Sequence, residues 1–279
     1  MAYKKIALAL SGGGARALAH IGVLKVLEQE KIPIHSLSGC SIGAILAACF
    51  AKGYSAAEVE ERALAFSSMR HMIRLVNLSP ARRGWLEGRR VRAYLEDLLG
   101  AELTFADLNK PLAINAVDLV TGEEIVFREG PILPAVMGSI AVPGIFVPVK
   151  LGEYYLVDGG VLDNLPVGPA RALNPDVVIA VDVQVDPFVE KPWRELTENN
   201  HWPLSLPASF LDVYRSILIM IAEMKRIRLL SSPPDLLLHP PLPPDLDMFL
   251  GFRQAAEAIA AGEQVTRQNL PRIKELVDL

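Results

Sequence analysis

The stretch KIPIHSLSGCSIGAILAACF, residues 31–50, joins a short apolar run to a strongly apolar helical pattern through Gly39-Cys40-Ser41-Ile42-Gly43. Ile34–Ser38 reads as a buried strand, and Ile42–Lys52 as a helix that stops at Gly53. The same order occurs just upstream. Lys4–Leu10 reads as a strand, Gly12, Gly13 and Gly14 permit a sharp turn, and Leu18, Ile21, Leu24 and Leu27 stripe a helix over Arg16–Glu30. A strand, a glycine turn and a helix, twice in succession, predict an α/β fold with a mostly parallel sheet. In such folds the strand ends and helix starts form the ligand crevice.

Downstream, residues 55–99 look helical, interrupted by Gly84 and Gly88. Extended segments are expected at Pro111–Leu119, Glu124–Phe127, Ile145–Lys150, Tyr154–Val157 and Val177–Val183, with the sheet ending at about that point. Pro187–Pro207 reads as a surface excursion, Phe210–Leu230 as an amphipathic helix, Ser231–Asp247 as a proline-rich connection and Phe249–Val277 as largely helical. With 279 residues the chain is expected to form one domain, a core over about 5–185 carrying a helical and proline-rich elaboration over about 186–279.

Composition excludes some classes of partner. A net charge of -4 argues against nucleic acid, whose binding surfaces are basic. The charge is uneven: Arg70, Arg74, Arg82, Arg83, Arg89, Arg90 and Arg92 face only Glu87 within that stretch, so the segment is either a solvated face or a surface for anionic groups. Cys40 and Cys49 are the only cysteines, too few and badly placed for a disulfide framework. A reducing, cytoplasmic setting is expected, with peripheral contact at the inner membrane surface as its variant. The run IALAL is short for a signal core, and no stretch reaches the roughly 18–20 apolar residues of a spanning helix.

The chemistry sits at the glycine turns. A serine hydroxyl attacks a carbonyl only when a base takes its proton and donors receive the developing oxyanion. Gly39 and Gly43 around Ser41 fit a sharp strand-to-helix turn that lifts a nucleophile off the backbone, although a helix-capping serine fits the same five residues. Gly12, Gly13 and Gly14 let backbone amides approach a ligand closely, or simply make a tight turn. Nucleotide binding fits poorly, because no GKS or GKT is present and Gly12–Ala17 lacks the last glycine of GxGxxG. Asp158 follows YYLV and precedes Gly159 and Gly160, a carboxylate at a strand end or an Asp-Gly turn. His20, His35, His71, His201 and His239 have no neighbourhood that marks any of them as a base.

SGGGARALAHIGVL (11–24), GCSIGA (39–44), SIAVPGIFVPV (139–149) and DGGVLDNLPV (158–167), in this order, resemble the patatin-like phospholipase family, close to its short bacterial members. The resemblance spans about 160 residues, from Ser11 to Gly168. It implies a three-layer α/β/α fold with C-terminal helices, and a serine acyl hydrolase acting on lipid or ester substrates through a Ser-Asp dyad. Neither a metal nor a cofactor is implied. Position by position, it makes Ser41 the nucleophile and Asp158 the base, with Gly39 and Gly43 framing the nucleophile turn. Gly12, Gly13, Gly14 and Arg16 fall in the oxyanion-hole motif, and Gly159 and Gly160 complete the aspartate motif. Two positions depart: Ala17 stands where glycine is usual, and Cys40 where threonine is common. Phe210–Leu230 and the arginine-rich segment are the candidates for a lid or membrane-facing surface. Three other readings remain: an α/β-hydrolase-type Ser-His-Asp triad, a malonyl-type acyltransferase, and a non-catalytic lipid-binding or regulatory protein. Oligomeric state is not legible.

Overall fold

A computed structural model describes residues 4–66, 87–187, 208–248 and 251–279. Its strands are β1 (Ile6–Leu10), β2 (Ile34–Gly39), β3 (Leu112–Asp118), β4 (Glu124–Phe127), β5 (Val149–Leu151), β6 (Tyr154–Asp158), β7 (Val177–Val181) and β8 (Leu236–Leu238). Its helices are α1 (Ala19–Gln29), α2 (Ile42–Lys52), α3 (Ala56–Phe66), α4 (Arg89–Leu99), α5 (Ile132–Ser139), α6 (Gly160–Asp163), α7 (Val167–Arg171), α8 (Ala208–Ser231) and α9 (Ala255–Leu276). All eight strands form one sheet in the order β5-β6-β3-β2-β1-β7-β8, with β4 also paired to β3. The β3-β2-β1-β7-β8 run is parallel, and the pairings of β4, β5 and β6 are antiparallel.

The central strands are continuous apolar runs because helices cover both faces. On β1, Ile6, Leu8 and Leu10 point into a large cluster with Ile21 and Leu24 of α1, Ala47 of α2 and Ile259 of α9. Ala7 and Ala9 point the other way, against Leu165, Val167 and Ala170 around α7 and Leu229 of α8. The mostly parallel α/β sheet and its two helical layers thus follow the sequence reading. On α8, Val213, Ile219, Met220, Ile227 and Leu230 are exposed.

Three expectations change. The sheet does not end at Val183, because β8 adds a parallel edge from inside the proline-rich stretch, with Ile179 opposite Leu236. Three residues give no periodicity to read, and prolines are compatible with an edge. The first helix opens as a 3-10 turn over Gly14–Leu18, since Gly14 has φ 57, a left-handed conformation that delays regular α geometry. Of the expected strand Ile145–Lys150, only its end belongs to β5. Arg70, Arg74, Arg82 and Arg83 of the arginine-rich segment lie outside the described residues, as does most of Pro187–Pro207.

Helix α9 crosses α1 at Gly22 and Gly262, where a side chain on Gly262 meets the carbonyl of Ala19 and one on Gly22 meets that of Ile259. Backbone touches backbone there, so nothing flexible can yield. Gly262→Val is expected to lower stability by about 3 kcal/mol in denaturant unfolding. A loss below about 0.5 kcal/mol contradicts that crossing.

Candidate active site

Ser41 sits between β2 and α2 with φ 53 and ψ -128, a conformation outside the small left-handed region and uncommon for any side-chain-bearing residue. Strain of this kind is on the order of 1–3 kcal/mol and persists only where the surroundings enforce it. They do so through the flanking glycines. A Cβ on Gly39 would stand 2.5 Å from the Gly43 carbonyl oxygen, and one on Gly43 would stand 2.5 Å from that of Leu10. The Cys40 amide donates to Leu10 O at 3.1 Å, and the Ser41 amide donates to Ser139 Oγ at 2.9 Å. No side chain caps α2, so Ser41 is not its hydrogen-bonding cap.

The Ser41 hydroxyl lies beside the Asp158 carboxyl, close enough to favour its ionised form. Asp158 is held at the end of β6: its amide donates to Ala141 O at 2.9 Å, and Oδ1 accepts from the Gly160 amide at 2.8 Å and from the Cys40 thiol at 3.6 Å. Burial pushes the carboxyl up to about 6, against the pull of the Ser41, Gly160 and Cys40 donors. A buried carboxylate in that range is mostly ionised at neutral pH yet basic enough to take a proton. The same burial holds the Cys40 thiol well above its ordinary value, with the nearby Asp158, Asp163 and Glu124 carboxylates adding to it.

The glycine turn after β1 lies against this pair. A Cβ on Gly12 would come 3.1 Å from the Ser41 Cβ, which places the turn directly beside the serine. The Gly12 amide donates to Asn164 O at 3.0 Å. Ala15 donates to Met248 O and Arg16 to Gly13 O, so among the described residues the amides of Gly13 and Gly14 are the ones in this turn with no carbonyl partner. Arg16 is buried and donates from Nε to Val183 O at 2.8 Å, tying the turn to the end of β7.

The described histidines do not join the pair. His20 is fully buried, donates from Nε2 to Ser11 O at 2.9 Å and is driven down to about 4 by burial. His35, near the start of β2, is separated from Ser41 by roughly 20 Å of extended chain. His239 follows β8, which lies three strands from β2, or roughly 14 Å. His71 and His201 lie outside the described residues. Among the described residues no three His, Cys, Asp or Glu groups could together hold a metal ion, and no helix is long and apolar enough to cross a membrane.

The profile of the family described as patatin-like phospholipase matches residues 8–171. The chain belongs to that family. An uncharacterised NTE-family protein of Mycobacterium tuberculosis is 34% identical over 181 residues, covering 64% of this chain and 49% of the relative. The mouse patatin-like phospholipase domain-containing protein 6 is 32% identical over 182 residues, covering 64% of this chain and 13% of the relative. The chain therefore spans half or less of the length of either. Among solved structures, VipD from Legionella pneumophila aligns with a TM-score of 0.49 and 16% identity, over 97% of this chain and 67% of the other.

Within this patatin-like frame, Ser41, Asp158, the three-glycine turn, Arg16, Gly39, Gly43, Gly159 and Gly160 all meet at one end of the sheet. Gly159 and Gly160 are hemmed in: a Cβ on the first would stand 2.5 Å from Asn115 O, and one on the second 2.8 Å from Asn164 Nδ2. Ala17 lies in the 3-10 turn without a positive φ, so alanine is tolerated where glycine is usual. Sequence reading did not single out Ser139, whose hydroxyl fixes the Ser41 amide, or Asn164, whose side chain lies between the Gly12 and Gly160 turns. Both stood inside the quoted stretches, but nothing local distinguishes a hydroxyl that receives an amide 98 residues away.

Proposed function

We propose that the protein is a serine acyl hydrolase that cleaves carboxylic esters of lipids, of phospholipase A, lysophospholipase or esterase type. The observation that carries this reading is Ser41, on a strained turn, with its hydroxyl beside a carboxylate that burial has made basic. Membership of the patatin-like phospholipase family supports lipid esters as the substrate class.

Ser41 Oγ attacks the ester carbonyl and its proton passes to Asp158. The amides of Gly13 and Gly14, at the turn beside Ser41, receive the oxyanion. On collapse, the C–O bond to the alcohol breaks and Asp158 returns the proton to that oxygen, leaving an acyl group on Ser41. Water then gives a proton to Asp158 and attacks the acyl carbon, and Ser41 leaves with the proton restored. Asp158 serves as base and acid in turn, a role for which a pKa near 6 suits it better than an ordinary carboxyl. Arg16 is read here as a support of the oxyanion turn through Val183, not as a group facing the substrate.

The test is turnover of short-chain and long-chain p-nitrophenyl esters and of a lysophospholipid by the purified protein. Hydrolysis is expected, with kcat/KM falling as pH drops through about 6, because protonated Asp158 cannot accept the serine proton. Acyl transfer to an added thiol in preference to water would favour an acyltransferase. Lipid binding without turnover of any ester would contradict the hydrolase reading.

A further inference from the structure

Two cations one turn apart on the inner side of α8, Lys225 and Arg228, reach the buried carboxyls of Asp182 and Asp163 and the half-buried Glu124, groups that the proposed chemistry does not use. Lys225 Nζ lies 2.5 Å from Asp182 Oδ2, with both side chains nearly buried. Arg228 Nη1 lies 2.7 Å from Glu124 Oε2 and 3.4 Å from Asp163 Oδ2. The two ties run to opposite flanks of the Ser41 site.

Asp182 immediately precedes Val183, the residue against which the glycine turn is built. Val183 O accepts from Arg16 Nε, its amide donates to Ser11 Oγ, and its side chain fills the place where a Cβ on Gly13 would stand. Asp163 closes α6, whose first residue, Gly160, supplies the amide that holds Asp158 Oδ1. The Asp163 amide returns to Gly159 O at 2.9 Å, and its carbonyl accepts from Asn115 Nδ2, which also donates to Glu124 Oε1. A shift of α6 therefore moves the donor that orients the base.

The geometry points to Lys225 and Arg228 as positioning residues: Lys225 sets the strand end behind the Gly13–Gly14 turn, and Arg228 sets the helix that orients Asp158. This rests on the hydrolase reading above for its kinetic readout. The titratable groups around Asp158 are Ser41 and Cys40 in direct contact, then Asp163, Glu124 and Arg228 behind them. Burial raises Asp163 to about 8, with Glu124 pushing the same way and Arg228 opposing. Loss of Arg228 removes the cation that bridges Glu124 and the buried Asp163, and α6 accommodates this by moving or by Asp163 holding its proton more tightly.

The experiment compares Lys225→Met, Lys225→Arg, Arg228→Met and Arg228→Lys for kcat, KM and pH profile on a short-chain ester. It also follows the Asp158 carboxyl by carbon NMR titration, assigned against Asp158→Asn. Both Met variants are expected to lose about tenfold in kcat with KM nearly unchanged, and the charge-keeping variants to recover most of it. Only Arg228→Met is expected to move the acid limb and the Asp158 titration upward, by about 0.5–1 unit, the weight of one loosened hydrogen bond. The titration needs no turnover, so it tests the Arg228 tie even if no ester is hydrolysed. Should Arg228→Met not fold, Glu124→Gln/Asp163→Asn/Arg228→Met removes the stranded charges and still lacks the tie. An unchanged Asp158 titration, or kcat within twofold of wild type in either Met variant, overturns the proposal and leaves the ion pairs as ordinary anchors of α8.

Discussion

Ser41→Ala is expected to abolish ester turnover, by at least about 10³-fold in kcat, because among the described residues Ser41 carries the one hydroxyl that bears on the Asp158 carboxyl. The Ser139 hydroxyl serves the Ser41 amide as an acceptor instead. The loss should come without unfolding. Alanine keeps the strain of φ 53, whereas Ser41→Gly removes it, since glycine has no Cβ to clash. Ser41→Gly is therefore expected to be as inactive as Ser41→Ala and about 1 kcal/mol more stable, read from denaturant midpoints. Equal stability of the two variants would mean that the turn is not strained. Turnover within tenfold of wild type in both would mean that Ser41 is not the nucleophile.

Asp158→Asn is expected to lower kcat by about 10⁴-fold, since the amide cannot accept the serine proton. The same change should stabilise the fold at neutral and alkaline pH. The folded carboxyl, at about 6, lies above the ordinary aspartate value of 3.8 because of burial, so the native state binds more proton than the unfolded chain between those values. Stability from this group is fully present below pH 4 and is lost as pH rises through 6. At pH 8 the deficit amounts to about 3 kcal/mol, which Asp158→Asn removes, and below pH 4 the two proteins should match. Asp163 adds a loss of the same sign that extends to about pH 8 in both proteins. An Asp158→Asn protein no more stable than wild type at pH 8 would contradict a desolvated base, and retained activity would mean that another group is the base.

Those two residues were legible because their settings are local. Ser41 announces itself by a strand, two glycines and a helix within one short stretch, and Asp158 by a strand end followed by two glycines. The parallel sheet followed from the same repetition. What sequence could not give depends on residues far apart in the chain: the Ser139 hydroxyl under Ser41, the Cys40 thiol on Asp158 across 118 positions, and the Arg228 tie to Glu124 across 104. Strand β8 escaped because three leucines between an aspartate and a histidine carry no period. The glycine turn was read as one block of donors, yet the fold gives the Gly12 amide to Asn164. Only the assembled sheet separates the Gly12 amide, which ties the turn, from the Gly13 and Gly14 amides, which find no carbonyl among the described residues.

The most direct test of the Ser-Asp account is intact and peptide mass spectrometry after brief incubation with a p-nitrophenyl ester. The account predicts an adduct of the acyl mass on Ser41 in the wild type and none in Asp158→Asn. An adduct on any other residue, or steady hydrolysis with Ser41 never acylated, would contradict it.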